Sequence, residues 1–184
     1  MLESKFIVFS GAVLCAAFFL FGFQQEQLPL RLQEKLDNAI GETYGVEQFA
    51  LEWIAVDPGL DEKAPSALGG KNLFKVISEG NALGMGYLGE APSMKDVFDY
   101  VVLFDADMAV KKTKILIYRE DYGRQVGSQR WLKQFIGKKA GESLGYGKDI
   151  DGISGATISA KSMTLAVGKV LESMKILQDH KAIP

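Results

Sequence analysis

The sequence predicts an α+β fold: an antiparallel β-sheet packed with helices and preceded by one N-terminal transmembrane helix. Three observations carry this. Four β-rich segments between Leu73 and Tyr118 follow one another through short turns, and such strands pair antiparallel rather than build a doubly wound parallel sheet. From Ser159 to Gln178 the residues Met163, Ala166, Val167, Val170, Leu171, Met174 and Leu177 fall on one helical stripe. Phe6 to Phe23 carries no charged residue and is just long enough to cross a bilayer.

That apolar run sets the domain plan: residues 1–27 as membrane anchor and exit, and 28–184 as the globular domain. Lys5 and the N-terminal amine, partly offset by Glu3, favour a cytoplasmic N-terminus. The protein is then expected in the inner (cytoplasmic) membrane, single-pass, with its domain on the extracytoplasmic, periplasmic side. Two other readings stand beside the anchor. A cleaved signal peptide wants a small-x-small site after the run, whereas the run ends Leu20-Phe21-Gly22-Phe23. A lipoprotein site at Cys15 wants a small residue before it, where Leu14 stands.

Beyond the polar exit Gln24–Gln27, Leu28 to Tyr44 reads as a helix, with Leu28, Leu32, Leu36, Ala39 and Ile40 at three-to-four spacing. Pro29 is tolerated in its first turn. Val46 to Val56 alternates as a strand, and the Pro- and Gly-bearing stretch Asp57–Gly70 reads as a loop. The next strands are Leu73–Ser78 and Ala82–Leu88, joined by a hairpin turn at Glu79-Gly80-Asn81. Val97–Phe104 and Val110–Tyr118 follow, joined at Asp105-Ala106-Asp107. In the last of these Lys112 and Lys114 are expected on one face and Thr113, Ile115 and Ile117 on the other. Ser128–Ile136 carries Trp131, Leu132, Phe135 and Ile136 at helical spacing, and Gly137–Gly147 is a glycine-rich loop before the final helix.

Composition excludes several functions. The chain has 184 residues and a net charge of −2, enough for one domain plus an appendage and without the basic excess of a nucleic-acid binder. Cys15 is the single cysteine and His180 the single histidine. An internal disulfide and a cysteine metal cluster are excluded, and a lone histidine near the C-terminus argues against a histidine-based triad.

The chemistry concentrates in Asp151-Gly152-Ile153-Ser154-Gly155-Ala156-Thr157, directly before the final helix. Small residues allow an anionic group close to the backbone. A helix start supplies free N–H groups and the positive end of the dipole. The result is a phosphate site with a hydroxyl nucleophile inside it. An ordinary reading competes, in which Thr157 or Ser159 simply caps the helix.

Asp151-x-x-Ser154-Gly155-Ala156-Thr157 closely resembles the flavinylation motif of FMN-binding domains. These occur in the sodium-translocating NADH:quinone oxidoreductase, in the Rnf complex and in small membrane-anchored flavoproteins. Gly86-Tyr87, Phe98–Asp105 and Ile115–Glu120 resemble the sheet that precedes the motif, so the likeness spans roughly Leu73 to Leu177. The resemblance implies FMN joined covalently to Thr157 through a phosphoester installed by a flavin transferase. Asp151 would order the turn or help bind the transferase-bound metal, and Ser154, Gly155 and Ala156 would keep the approach open. In the energy-coupling complexes a His-x-Glu-Thr-Pro-Gly-like run precedes the loop. Here Tyr118-Arg119-Glu120-Asp121-Tyr122-Gly123 keeps the glutamate and glycine without the histidine and proline, which tilts the likeness toward the small anchored group.

For the isoalloxazine ring, Tyr122 and Trp131 are candidates to stack and Glu120 to accept from ring N–H groups. Core packing beside Phe135 competes for Trp131, and a solvated loop position for Tyr122 and Glu120. Lys148 and Lys161 could neutralise the phosphate. Arg119, Arg124, Arg130 and Lys133 form a positive cluster that could steer an acidic redox partner or could be a solvated face. No catalytic residue or metal ligand is read.

The expected function is a membrane-anchored flavoprotein in extracytoplasmic or membrane-associated electron transfer. Its expected partners are the membrane, a flavin transferase for maturation, and redox proteins or a quinone-linked electron donor. Two alternatives stand beside it: a stand-alone FMN-dependent reductase of a small acceptor, and a non-flavinylated binding or assembly module.

Overall fold

The computed structural model describes residues 28–184. The anchor expected at Phe6–Phe23, its exit at Gln24–Gln27 and Cys15 lie outside the described residues. Among those described, no helix is long and apolar enough to cross a membrane.

Five antiparallel strands form one sheet in the order β1 (Ala50–Trp53), β2 (Leu73–Ser78), β3 (Asn81–Pro92), β4 (Val97–Phe104), β5 (Val110–Ile117). Sequence order and spatial order coincide; β2 to β5 follow one another through short turns, as neighbouring antiparallel strands do, while a longer loop joins β1 to β2. The β2–β3 hairpin turns on Glu79 and Gly80, both with positive φ (51° and 78°), as the tight hairpin turns demand. β3 runs past its expected end at Leu88 to Pro92, because Leu88 to Pro92 keep pairing with β4, from Leu88 opposite Val101 to Pro92 opposite Val97. β1 is shorter than the Val46–Val56 expected, and the Asp57–Gly70 loop holds a short helix α2 (Pro58–Asp61), capped by Asp57 accepting from Gly59 N–H at 2.9 Å.

Helix α1 (Leu30–Tyr44) covers one face of the sheet with Leu32, Leu36, Ala39 and Ile40 against Phe74, Val76, Val101 and Leu103. The opposite face is covered by α4 (Thr157–Asp179). There Met163, Val167, Val170, Leu171, Met174 and Leu177 pack with Tyr87, Phe98, Tyr100, Val102 and Phe104. With both faces covered, β4 is buried from Phe98 to Phe104, a near-continuous apolar run interrupted only by Asp99.

β5 departs from the alternation expected of it. The pairing shifts between Asp99 and Tyr100, so that Asp99 opposes Ile117 while Tyr100 opposes Ile115. That extra residue re-aims the end of the strand: Ile115 packs on the α4 side while Leu116 and Ile117 pack on the α1 side. A 3-10 turn at Arg124–Gly127 precedes the segment Ser128–Ile136, whose expected single helix divides into a short α3 (Gln129–Leu132) and a second 3-10 turn at Lys133–Phe135. These pieces bury Val126, Trp131, Leu132 and Phe135 beside the sheet and bring the chain to the N-terminus of α4.

Candidate functional site at the N-terminus of the last helix

The approach to α4 is fixed through its backbone. Trp131 is buried, its ring edge-on to Phe135 at 5.5 Å, and its indole N–H donates to the Asp151 carbonyl at 2.7 Å. The Asp151 N–H donates to Gln134 Oε1 at 2.8 Å. Both main-chain groups of the motif's first residue are therefore held by one neighbouring segment. Trp131 thus lies in the core, as its packing alternative has it, and orients the motif. The Asp151 carboxylate is exposed and makes no hydrogen bond among the described residues.

Ser154 and Gly155 form the turn into the helix. Gly155 has φ of 78°, and a Cβ there would lie 3.2 Å from Gln125 Nε2. The residue is held left-handed against the 124–127 turn, a conformation that favours glycine. Ala156 is buried and occupies the N-cap position with no side-chain cap. Thr157 is the first helical residue and is exposed.

Neither hydroxyl offered for capping does so. The Ser159 hydroxyl is buried and pairs with Tyr118 Oη at 2.8 Å, and Thr157 makes no hydrogen bond to the helix end. The N–H groups of Thr157, Ile158 and Ser159 have no partner among the described residues. A long helix thus presents three unspent donors and the positive end of its dipole beside an unspent hydroxyl, the chemistry that receives a phosphate. The residues present fit a phosphate-bearing cofactor.

The second wall is the segment 118–127. Tyr118 rests on Phe98 with ring centroids 5.8 Å apart and reaches Ser159. Gly123 has φ of 80°, and a Cβ on it would come within 2.6 Å of Tyr118 Oη, so this glycine is required twice over. Tyr122 projects from the loop, 84% exposed, and Ile158 is exposed in the first turn of α4. Both faces are open to a flat ring.

Glu120 is committed in part. Its Oε1 accepts from the Ser93 hydroxyl, from Lys95 N–H at 2.7 Å and from Asp96 N–H at 3.1 Å, closing the β3–β4 turn. These bonds, that of Ser93 first, hold its carboxyl below the usual value. Its Oε2 has no hydrogen bond among the described residues and stays available to accept.

Lys161 Nζ lies 5.7 Å over the ring of Tyr146, one turn beyond Thr157, and Lys148 is exposed on the incoming loop. The basic cluster is partly neutralised: Arg119 pairs with Asp99 at 2.7 Å and Arg124 with Asp121 at 3.0 Å. Arg130 and Lys133 are exposed and have no ion-pair partner among the described residues.

Sequence reasoning missed Tyr118, Ser159, Gln125 and Gln134 in these positioning roles. They act through contacts between segments distant in sequence, and only the glycine at 123 hints at the crowding there.

Residues 94–172 match the model of the FMN-binding domain family. The match begins in the β3–β4 turn, includes the 118–127 wall and the motif, and ends within α4. A search of the curated proteins finds no match.

Proposed function

We propose that this chain, whose residues 94–172 are an FMN-binding domain, carries its FMN as a phosphoester on Thr157 and serves in electron transfer at the extracytoplasmic face of a membrane. The carrying observation is the uncapped start of α4, where the Thr157 hydroxyl is exposed and no side chain caps the helix. A phosphodiester keeps one negative charge, which the helix end stabilises by about 0.3–1 kcal/mol, more if partly buried. Once bound, the flavin supplies one- and two-electron redox chemistry, and the protein sets its position and surroundings.

In this reading each residue has a local task. The free N–H groups of the first turn of α4 hold the phosphate oxygens. Gly155 and Ala156 leave the approach to Thr157 open. Tyr122 and Ile158 offer apolar surface to the ring and Glu120 Oε2 an acceptor. Asp151, main chain pinned and carboxylate free, faces the maturation machinery, a flavin transferase with its metal. Phe6–Phe23 anchors the domain in the cytoplasmic membrane, where redox proteins or a quinone-linked donor reach it. Covalent attachment keeps a cofactor that is scarce outside the cytoplasm.

The protein isolated from its own membrane should give a flavin-fluorescent band on a denaturing gel, and Thr157→Ala should remove that band. A fluorescent band that survives Thr157→Ala would assign the link to another residue; no band in the native protein would remove the covalent reading.

A further inference from the structure

Asp99 is the one charged residue of β4, and its side chain is 4% exposed. By strand alternation it shares the α1 face of the sheet with Val101 and Leu103. A carboxylate buried there is costly unless a cation meets it. Arg119 does so. Its Nη2 stands 2.7 Å from Asp99 Oδ2, and its Nη1 donates to the Val97 carbonyl at 2.9 Å. One guanidinium thus clasps β4 at two positions.

Arg119 reaches that face only because β5 is bulged. Asp99 opposes Ile117 while Tyr100 opposes Ile115, and Leu116 is the extra residue between them. Beyond such a bulge the two faces of the strand are exchanged. Tyr118 therefore packs on the α4 side, where it rests on Phe98 and meets Ser159 Oγ. Arg119 turns to the α1 side and meets Asp99. In an unbulged strand, alternation from Ile115 would send Arg119 toward Phe98 and Tyr100 and turn Tyr118 away from Ser159. Asp99 would then be buried without its cation, and a guanidinium would stand among aromatic rings.

We propose that Asp99 and Arg119 are positioning residues for the candidate flavin site: their ion pair selects the bulged register of β5, and that register holds Tyr118 and the wall it begins on the α4 side. Fixing a register is the best-attested use of a buried polar group. The consequence for the flavin rests on the function proposed above; the register itself does not.

The test is fluorine NMR of the full-length protein in detergent, labelled with 3-fluorotyrosine, with the Tyr118 signal assigned by its loss in Tyr118→Phe. The native protein should give one Tyr118 signal. Asp99→Leu/Arg119→Met leaves neither charge, so that both registers bury apolar groups. In it a second Tyr118 signal should take more than about a tenth of the intensity, and the visible circular dichroism of flavin on Thr157 should weaken. Arg119→Lys retains the charge pair and should keep the single signal and the native dichroism. Thermal melts would verify cooperative folding. Asp99→Asn/Arg119→Gln, closer in shape to the native pair, takes the place of the first double variant if that one does not fold, with the same result expected. A single unshifted Tyr118 signal in the folded charge-free variant, or native flavin dichroism in it, would overturn the proposal. A native protein without flavin on Thr157 would sink the flavin reading instead, and the Tyr118 signal would still decide the register.

Discussion

The Tyr118 hydroxyl, just beyond the end of β5, lies 2.8 Å from Ser159 Oγ in the first turn of α4. This bond joins the two walls of the candidate flavin site. It also occupies the serine that could otherwise serve the helix end. Tyr118→Phe should cost about 0.5–1.5 kcal/mol, as for one hydrogen bond, while leaving flavin on Thr157. Denaturant unfolding with a parallel measurement of bound flavin checks this. Loss of flavin with stability unchanged would show that Tyr118 acts on attachment instead.

Gly123 meets two demands at once. A side chain there must adopt φ of 80° and also enter the space of Tyr118 Oη, 2.6 Å from the new Cβ. The left-handed conformation alone costs about 1–2 kcal/mol for an L-residue. Gly123→Ala should therefore destabilise the protein more than Tyr118→Phe does. In the Tyr118→Phe background the added cost should shrink, because the clashing oxygen is gone. Equal costs in the two backgrounds would contradict this coupling.

Trp131 connects the core to the motif through its indole N–H on Asp151. Trp131→Phe removes that donor and part of the buried ring, for an expected cost of about 2–3 kcal/mol. It should also lower the fraction of protein flavinylated during coexpression with a flavin transferase, because Asp151 loses one of its two main-chain tethers. Normal flavinylation of the variant would show that the Gln134 tether suffices.

Glu120 gives the fold a pH dependence of defined sign. Its carboxyl is held below the ordinary value of 4.5, first by Ser93 and then by backbone N–H groups. A group with a lowered folded pKa stabilises the fold above its unfolded pKa and loses that contribution as pH falls through its folded value. The loss therefore sets in below about pH 4.5. Thermal melts of Glu120→Gln should show a shallower fall in Tm below that pH than the native protein, and a lower Tm at neutral pH. Parallel curves would remove Glu120 from the acid response.

Much of this is legible in the sequence, for identifiable reasons. The stripe from Met163 to Leu177 marks a helix buried on one side, and both its existence and its buried face are observed. The strand order follows from short turns, and Thr157 stands out because small residues precede it at a helix start. Ile117 leaves its expected face because a bulge at Leu116 breaks the two-residue period, and periodicity alone cannot register an inserted residue. The Ser128–Ile136 segment breaks up where one helix is expected, because apolar residues at three-to-four spacing suit 3-10 turns as well as one continuous helix. Trp131 illustrates the limit at the site itself. Its aromatic character suggests stacking on a ring, while its role lies in a bond to the distant Asp151 carbonyl, which spacing does not encode.

The central claim is a bond between a cofactor phosphorus and Thr157 Oγ1. Tandem mass spectrometry of the tryptic peptide from Asp149 to Lys161, released from natively produced protein, addresses it directly. Fragment ions should place the mass of FMN less one water on Thr157. A peptide recovered only in unmodified form, or with the added mass on Ser154 or Ser159, would contradict the account.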